Sequence, residues 1–339
     1  MNIIRKKKDD IFYYIKNKKI ITDDNILEYI KKLIIPPAWT NVTISCDPEE
    51  KILCIGYDSK NRKQYIYNKS FTNMQKNTKY YNTLIKFGKK INIIRDDIQS
   101  ILRKRVWDLE KTTAFVIYVI DVCHLRVGNE KYKEDNSSYG ITTLEKKHIK
   151  IKTTSIYINF IGKKGIKNEC KFTNSRMLTL FKSLNDTFKP NEKDSFFKYY
   201  GHNNTIYTIN SCHINDFLKR YGDFSAKNFR TWTANTYIIK YLYNILDQLK
   251  KKTDLNKISN RNISIILNKA IDEVSLELNN TRNVCKSSYI STDILEDVKK
   301  DPNEFFYKLK KYGKSKLQNS TGLESILLKL LLEYKKTKN

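Results

Sequence analysis

Four residues spread along the chain are of types that can handle a phosphate: Arg126, Lys163, Arg230 and Tyr289. Tyr289 lies in LNNTRNVCKSSYIST (278–292), a polar stretch between two apolar-periodic ones, with no aromatic neighbour. It is either an ordinary exposed ring or a hydroxyl that must reach something. Arg126 closes the apolar run FVIYVIDVCHLR (115–126). There it is either a cation favoured by the helix dipole or a bidentate phosphate clamp. Lys163, in FIGKKGIK, falls at a hairpin tip, where an ammonium is either solvated or poised to enter a groove. Arg230, in FSAKNFRTWTANTY, stands at a helix start. The dipole disfavours a cation there, and a nearby anion would account for it.

Other chemistries find no support. GKS at 313–315 lacks the first glycine of a phosphate-binding loop, because Lys308 occupies that place. No GxGxxG follows a strand, no acidic cluster resembles a magnesium site, and the four histidines do not pair with cysteines at zinc-ligand spacing. The six cysteines are scattered and read as reduced thiols. The N-terminus MNIIRKKKDD has no signal-peptide core. The run TTAFVIYVI (112–120) has about half the length of a membrane span. A soluble, intracellular protein is expected. The excess of 64 Lys+Arg over 36 Asp+Glu, +28, calls for a polyanionic partner, nucleic acid above all. An AT-rich genome would also raise the lysine count.

Two kinds of element must position these residues. Residues 40–70 alternate as strands (Val42, Ile44 and Cys46 in NVTISC, then KILCIGYDSK and RKQYIYNKSF), after an extended LIIPPAWT. The polar MQKNTKYYNT (74–83) then reads as a separator, which puts a domain boundary near 78. Beyond it the apolar period is that of helices, with one β-hairpin, SIYINFIGKKGIKNECKF (155–172), and a C-terminal amphipathic helix, GLESILLKLLLEY.

In chain order, Arg126, a hairpin Lys163, Lys-Asn-Phe-Arg ending at Arg230, and Asn280 nine residues before Tyr289 resemble the catalytic set of type IB DNA topoisomerases of the small viral and bacterial kind. GYDSKNRKQYIY (56–67), GNEKY (128–132), YGITTLEKKHIKI (139–151) and IPPAWT (35–40) are similar to that family's flanking segments, so the likeness covers roughly residues 30–300. It implies an α+β fold: a small β-rich N-terminal DNA-binding domain (1–78) and a larger, mostly α-helical catalytic domain (79–339) with an inserted β-hairpin. The catalytic fold is the one shared with tyrosine recombinases.

By the same resemblance, Tyr289 attacks a phosphodiester of duplex DNA and forms a 3′-phosphotyrosyl link. Arg126 and Arg230 stabilise charge, Lys163 is the general acid, and Asn280 donates a hydrogen bond where poxvirus members have histidine. Gln64, Tyr65 and Tyr67 would meet DNA in the major groove, and Asn129 (lysine in poxvirus members), Lys131, Tyr132 and Lys227 would also contact it. No metal, cofactor, nucleotide or membrane is implied, and the partner is duplex DNA clamped by a monomer. Composition and family together suggest a large DNA virus, hence a virion or replication compartment. A tyrosine recombinase would usually carry histidine where Lys227 stands and a helical N-terminal domain. A purely DNA-binding protein would need neither the tyrosine nor the hairpin lysine.

Overall fold

The structure, a computed structural model, describes residues 2–59, 61–313, 317 and 319–337, with side chains throughout these except at 69–79, 132 and 136. The chain forms two compact units, Met1–Tyr81 and Asn82–Asn339.

The first unit holds strands β1 (Asn2–Lys8), β2 (Ile11–Lys16) and β3 (Lys19–Ile20), helix α1 (Asp24–Lys32), and strands β4 (Thr40–Ser45), β5 (Ile52–Tyr57) and β6 (Lys63–Tyr67). They make one antiparallel sheet in the order β3-β2-β1-β4-β5-β6. Asp23 caps α1 by accepting from the Asn25 and Ile26 amides, and α1 packs Ile30 against Ile3, Val42, Ile44 and Cys54. Side chains alternate along a strand, so the opposite face carries Ile4, Thr43, Ile55 and Tyr65 in register. Strands β1–β3 were not legible in the sequence. The inner-face position between Ile3 and the turn is Arg5, a buried cation whose guanidinium donates to the carbonyls of Trp39 (2.6 Å) and Pro36.

Helix α2 (Lys69–Ile101) runs through residues 74–83. The expected separator is therefore helical: lysine, asparagine and glutamine are compatible with a helix as well as with a loop. The second unit continues with α3 (Leu109–Cys123), α4 (Glu130–Asn136), the sheet β7 (Ile149–Ile151), β8 (Ile156–Ile161) and β9 (Lys167–Phe172), and α5 (Ser175–Phe188). A short β10 (Lys198–Tyr200) and β11 (Ile206–Thr208) pair precedes α6 (Ser211–Lys219), α7 (Ala226–Lys250), α8 (Asn260–Glu277), α9 (Arg282–Ser288), α10 (Thr292–Lys300), α11 (Pro302–Gly313) and α12 (Ser320–Lys336). Helix α3 is buried nearly all round, with Phe115 against Phe181 at 4.9 Å and Trp107 at 5.5 Å. On α7, Phe229 and Trp232 pack edge-on to Phe87. Helix α12 buries Leu323, Ile326, Leu327, Leu330 and Leu331. Its Glu324 shares the Arg95 guanidinium with Asp121 of α3, at 2.8 Å each.

One expectation about the cysteines fails. Cys123, the last residue of α3, is bonded to Cys170 in the middle of β9. Their Cα atoms are 5.8 Å apart, within bridging range, although 47 residues separate them along the chain. Cys46, Cys54, Cys212 and Cys285 are free.

Candidate active site

Helix α3 ends because His124 takes a left-handed φ of 56°, its amide donating to Ile120. Arg126 thus lies in the loop beyond the helix, not on it. Its carbonyl accepts from the Ile141 amide at 2.9 Å. The loop is pinned further by a backbone crossing: a Cβ at Gly140 would meet the Gly128 main chain at 2.6 Å, so no other residue fits.

The β8–β9 connection is a tight turn, with the Gly162 amide donating to the Ile166 carbonyl at 2.8 Å. Lys163 and Lys164 are both exposed at its tip, and Lys164 takes the left-handed φ of 64°. Among the described residues neither has an acidic partner.

Arg230 sits in the second turn of α7 and is 2% exposed. Its guanidinium donates to the His124 carbonyl beyond α3, to the Leu278 carbonyl beyond α8 (2.9 Å), and through Nε to the Tyr289 hydroxyl at 3.4 Å. Carbonyls hold the cation but do not neutralise it. Burial lowers the Arg230 pKa, opposed by the Tyr289 charge and reinforced by Arg126.

Helix α8 stops where Asn279 adopts φ 48°, and this presents Asn280. The Asn280 carboxamide oxygen accepts from Arg126. Its nitrogen is buried without an acceptor among the described residues, apart from the weakly accepting Cys285 sulfur.

Tyr289 does not lie in an irregular polar loop. Thr281 caps the short helix α9, and Tyr289 ends it, with its amide donating to the Cys285 carbonyl. Its ring is 7% exposed, with Lys227 Nζ 5.8 Å and Arg230 Cζ 5.3 Å from the centroid. Burial alone would raise the phenol pKa. The charge and hydrogen bond of Arg230, then those of Arg126, outweigh it and leave the pKa below the usual tyrosine value.

Arg126, Asn129, Lys163, Lys227, Arg230, Asn280 and Tyr289 all line one cavity of about 600 Å³, and no carboxylate is among its lining residues. Such a cavity is suited to hold an anion against the Tyr289 hydroxyl. The remaining contact candidates are distributed differently. Lys131 is exposed on α4, away from that lining, and the Tyr132 side chain is outside the described residues. In the first unit, Tyr65 and Tyr67 lie on one exposed face with ring centroids 5.8 Å apart. Gln64 points to the other side and donates to Asp58 at 2.9 Å, so it does not join them.

Sequence reasoning missed Asn235. It is fully buried on α7 and brackets the tyrosine: Nδ2 donates to the Tyr289 carbonyl (2.8 Å) and Oδ1 accepts from the Ser291 amide (2.8 Å). The available signal was an amide three residues before Ile238, on the apolar stripe of a helix, where a polar group must find partners.

Comparison with known proteins places the chain in a family. The family described as eukaryotic DNA topoisomerase I, catalytic core, matches residues 60–316, and the bacterial DNA topoisomerase IB N-terminal domain matches residues 11–58. The chain belongs to the type IB DNA topoisomerases. Among these topoisomerases, DNA topoisomerase 1B of Acanthamoeba polyphaga mimivirus is 32% identical over 98% of this chain and 95% of its own. DNA topoisomerase I of monkeypox virus and DNA topoisomerase 1B of vaccinia virus (strain Copenhagen) are each 26% identical over 85% of this chain and 90% of theirs. The type IB fold is the α+β arrangement described above, and no helix among the described residues is long and apolar enough to cross a membrane.

Proposed function

We propose that this topoisomerase relaxes supercoiled duplex DNA by transient cleavage of one strand, with Tyr289 as the nucleophile. The observation that carries the reading is the contact of the Tyr289 hydroxyl with Arg230 in a cavity lined by cations and by no carboxylate. The phenolate oxygen attacks the scissile phosphorus, forming a 3′-phosphotyrosyl bond while the 5′ oxygen leaves. Arg126 and Arg230 bear the charge that builds on the non-bridging oxygens. The buried Asn280 amide donates to one of them. Lys163 protonates the leaving 5′ oxygen as general acid. The nicked strand swivels, and the 5′ hydroxyl attacks back. The phosphotyrosyl bond conserves the phosphodiester energy, so neither ATP nor a metal ion is required.

The division of labour follows the two units. Tyr65 and Tyr67 offer the first unit's exposed face to duplex DNA, together with Lys131 and Asn129 from the second, while the chemistry resides in residues 82–339. A single chain suffices, since one cavity holds every reacting group named. The test is relaxation of positively and negatively supercoiled plasmid in EDTA without ATP. Relaxation of both is expected, and strict dependence on ATP or on added Mg²⁺ would refute the reading.

A further inference from the structure

The Cys123–Cys170 disulfide lies on the core-facing side of the β7–β9 sheet, where Cys170 is in register with the buried Ile158. Cys170 is only half-buried, whereas its partner Cys123 is 6% exposed at the end of α3. Cys170 is therefore the half of the disulfide more open to an incoming thiolate.

The bond also joins two supports of the catalytic cavity. Cys123 precedes His124, whose carbonyl receives Arg230, and lies three residues before Arg126. Cys170 lies on the hairpin that carries Lys163 at its tip. From Cys170 to the turn at Gly165 is on the order of 15 Å of strand. A small rotation at the tethered base is thus enlarged at the ammonium.

We propose that Cys123–Cys170 is a thiol–disulfide exchange site for a dithiol reductant, and that its reduction withdraws Lys163 from its catalytic position. In the exchange, a reductant thiolate attacks the Cys170 sulfur and forms a mixed disulfide. The Cys123–Cys170 bond breaks, and Cys123 leaves as a thiolate that takes a proton from water. The second thiol of the reductant then displaces Cys170, which leaves as a thiolate and is protonated in turn. The protein gains two electrons and the dithiol becomes its cyclic disulfide. The β8–β9 ladder survives, so the hairpin stays folded but loses its anchor to α3. The inference rests on Lys163 being the proton donor.

The test uses the full chain, oxidised or reduced with dithiothreitol. Alkylation of the denatured protein first establishes the bond: four cysteines should react in the oxidised form and all six after reduction. Six reactive cysteines in protein never exposed to reductant would overturn the proposal. Single-turnover cleavage is then measured on an ordinary duplex and on one with a 5′-bridging sulfur, whose thiolate leaves without a proton donor. The reduced protein should cleave the ordinary strand about tenfold or more slowly, the scale of a small misplacement, and the sulfur strand at the oxidised rate. C170S should behave like the reduced protein and ignore dithiothreitol, with circular dichroism confirming its fold. Equal rates for oxidised and reduced protein on the ordinary strand, or a deficit that persists on the sulfur strand, would overturn the proposal. K163A run in parallel separates the two claims. If K163A cleaves ordinary DNA at the wild-type rate, the proton-donor reading falls and the proposal with it. If K163A is crippled and rescued by sulfur while wild type is indifferent to redox state, only the proposal falls.

Discussion

Asn235→Ala is the perturbation with the clearest structural arithmetic. Asn235 donates to the Thr231 and Tyr289 carbonyls at 2.7 and 2.8 Å and accepts from the Ser291 amide at 2.8 Å, with no exposure to water. Thr231 precedes Asn235 by one helical turn, so its carbonyl keeps the ladder bond of α7. The Tyr289 carbonyl and the Ser291 amide each lose this buried partner. At about 0.5–1.5 kcal/mol for each hydrogen bond lost, the cost is about 1–3 kcal/mol. That is a large share of the ~5–15 kcal/mol that holds an ordinary domain together. The same two bonds fix the backbone on both sides of Tyr289, so cleavage should slow by about 10²-fold, as for a misplacement near 1 Å. DNA affinity should change little, because no cation is lost. Asn235→Asp keeps an acceptor for Ser291 but sets a carboxylate oxygen against the Tyr289 carbonyl, and should be at least as damaging. Urea unfolding and single-turnover cleavage, measured where the variant is still folded, check both effects. An Asn235→Ala protein with wild-type stability and rate would refute the claim that this amide positions Tyr289.

Lys163→Ala should lose about 10²–10⁴-fold on ordinary DNA and recover on the 5′-bridging sulfur strand, whereas Arg126→Ala and Arg230→Ala should not recover. If Lys164→Ala shows that pattern instead, the adjacent lysine is the acid. The Tyr289 pKa lies below the usual tyrosine value, burial being outweighed by Arg230 and Arg126, so the rise of cleavage with pH should come earlier than for a free phenol, and Arg230→Gln should move that rise to higher pH. A profile unmoved by Arg230→Gln would contradict the coupling. His124 is pushed down to about 4 by burial, against a usual value of 6.5. The unfolded chain therefore binds the proton first. Stability should be intact above pH 6.5, fall by up to about 1.4 kcal/mol per pH unit as pH drops from 6.5 towards 4, and incur no further loss from this residue below that. Urea midpoints across that range should show this slope, and His124→Gln should remove it.

The residues that meet in the candidate site were legible because each is tied to a local signal that survives in one dimension. The apolar run before Arg126, the two glycines bracketing Lys163–Lys164 and the Asn279–Asn280 helix stop are all local. The long helices were equally readable, since Ile238, Leu242, Ile263, Leu267, Ala270 and Val274 recur at helical spacing and are buried. What escaped depends on distant partners. Strand β1 was masked because Arg5 takes an inward position and finds its acceptors at Pro36 and Trp39. Helix α9 buries only Cys285, too little for a periodic signal, so its residues read as loop. The Cys123–Cys170 bond and the Asn235 bracket join residues 47 and 54 positions apart, and neither spacing marks a contact. Gln64 resembled its neighbours by motif, but strand alternation turns it to the face opposite Tyr65 and Tyr67.

The central claim is that Tyr289 is the residue joined to DNA through a 3′ end. Duplex cleaved under single-turnover conditions, trapped in denaturant and digested with trypsin, should leave a nucleotide-bearing peptide spanning residues 287–299, in which Tyr289 is the only tyrosine. Fragmentation should place the adduct on that tyrosine, linked to the 3′ phosphate, and Tyr289→Phe should bind DNA yet yield no adduct. An adduct on another residue, an attachment to the 5′ end, or trapped DNA from the Phe variant would contradict the account.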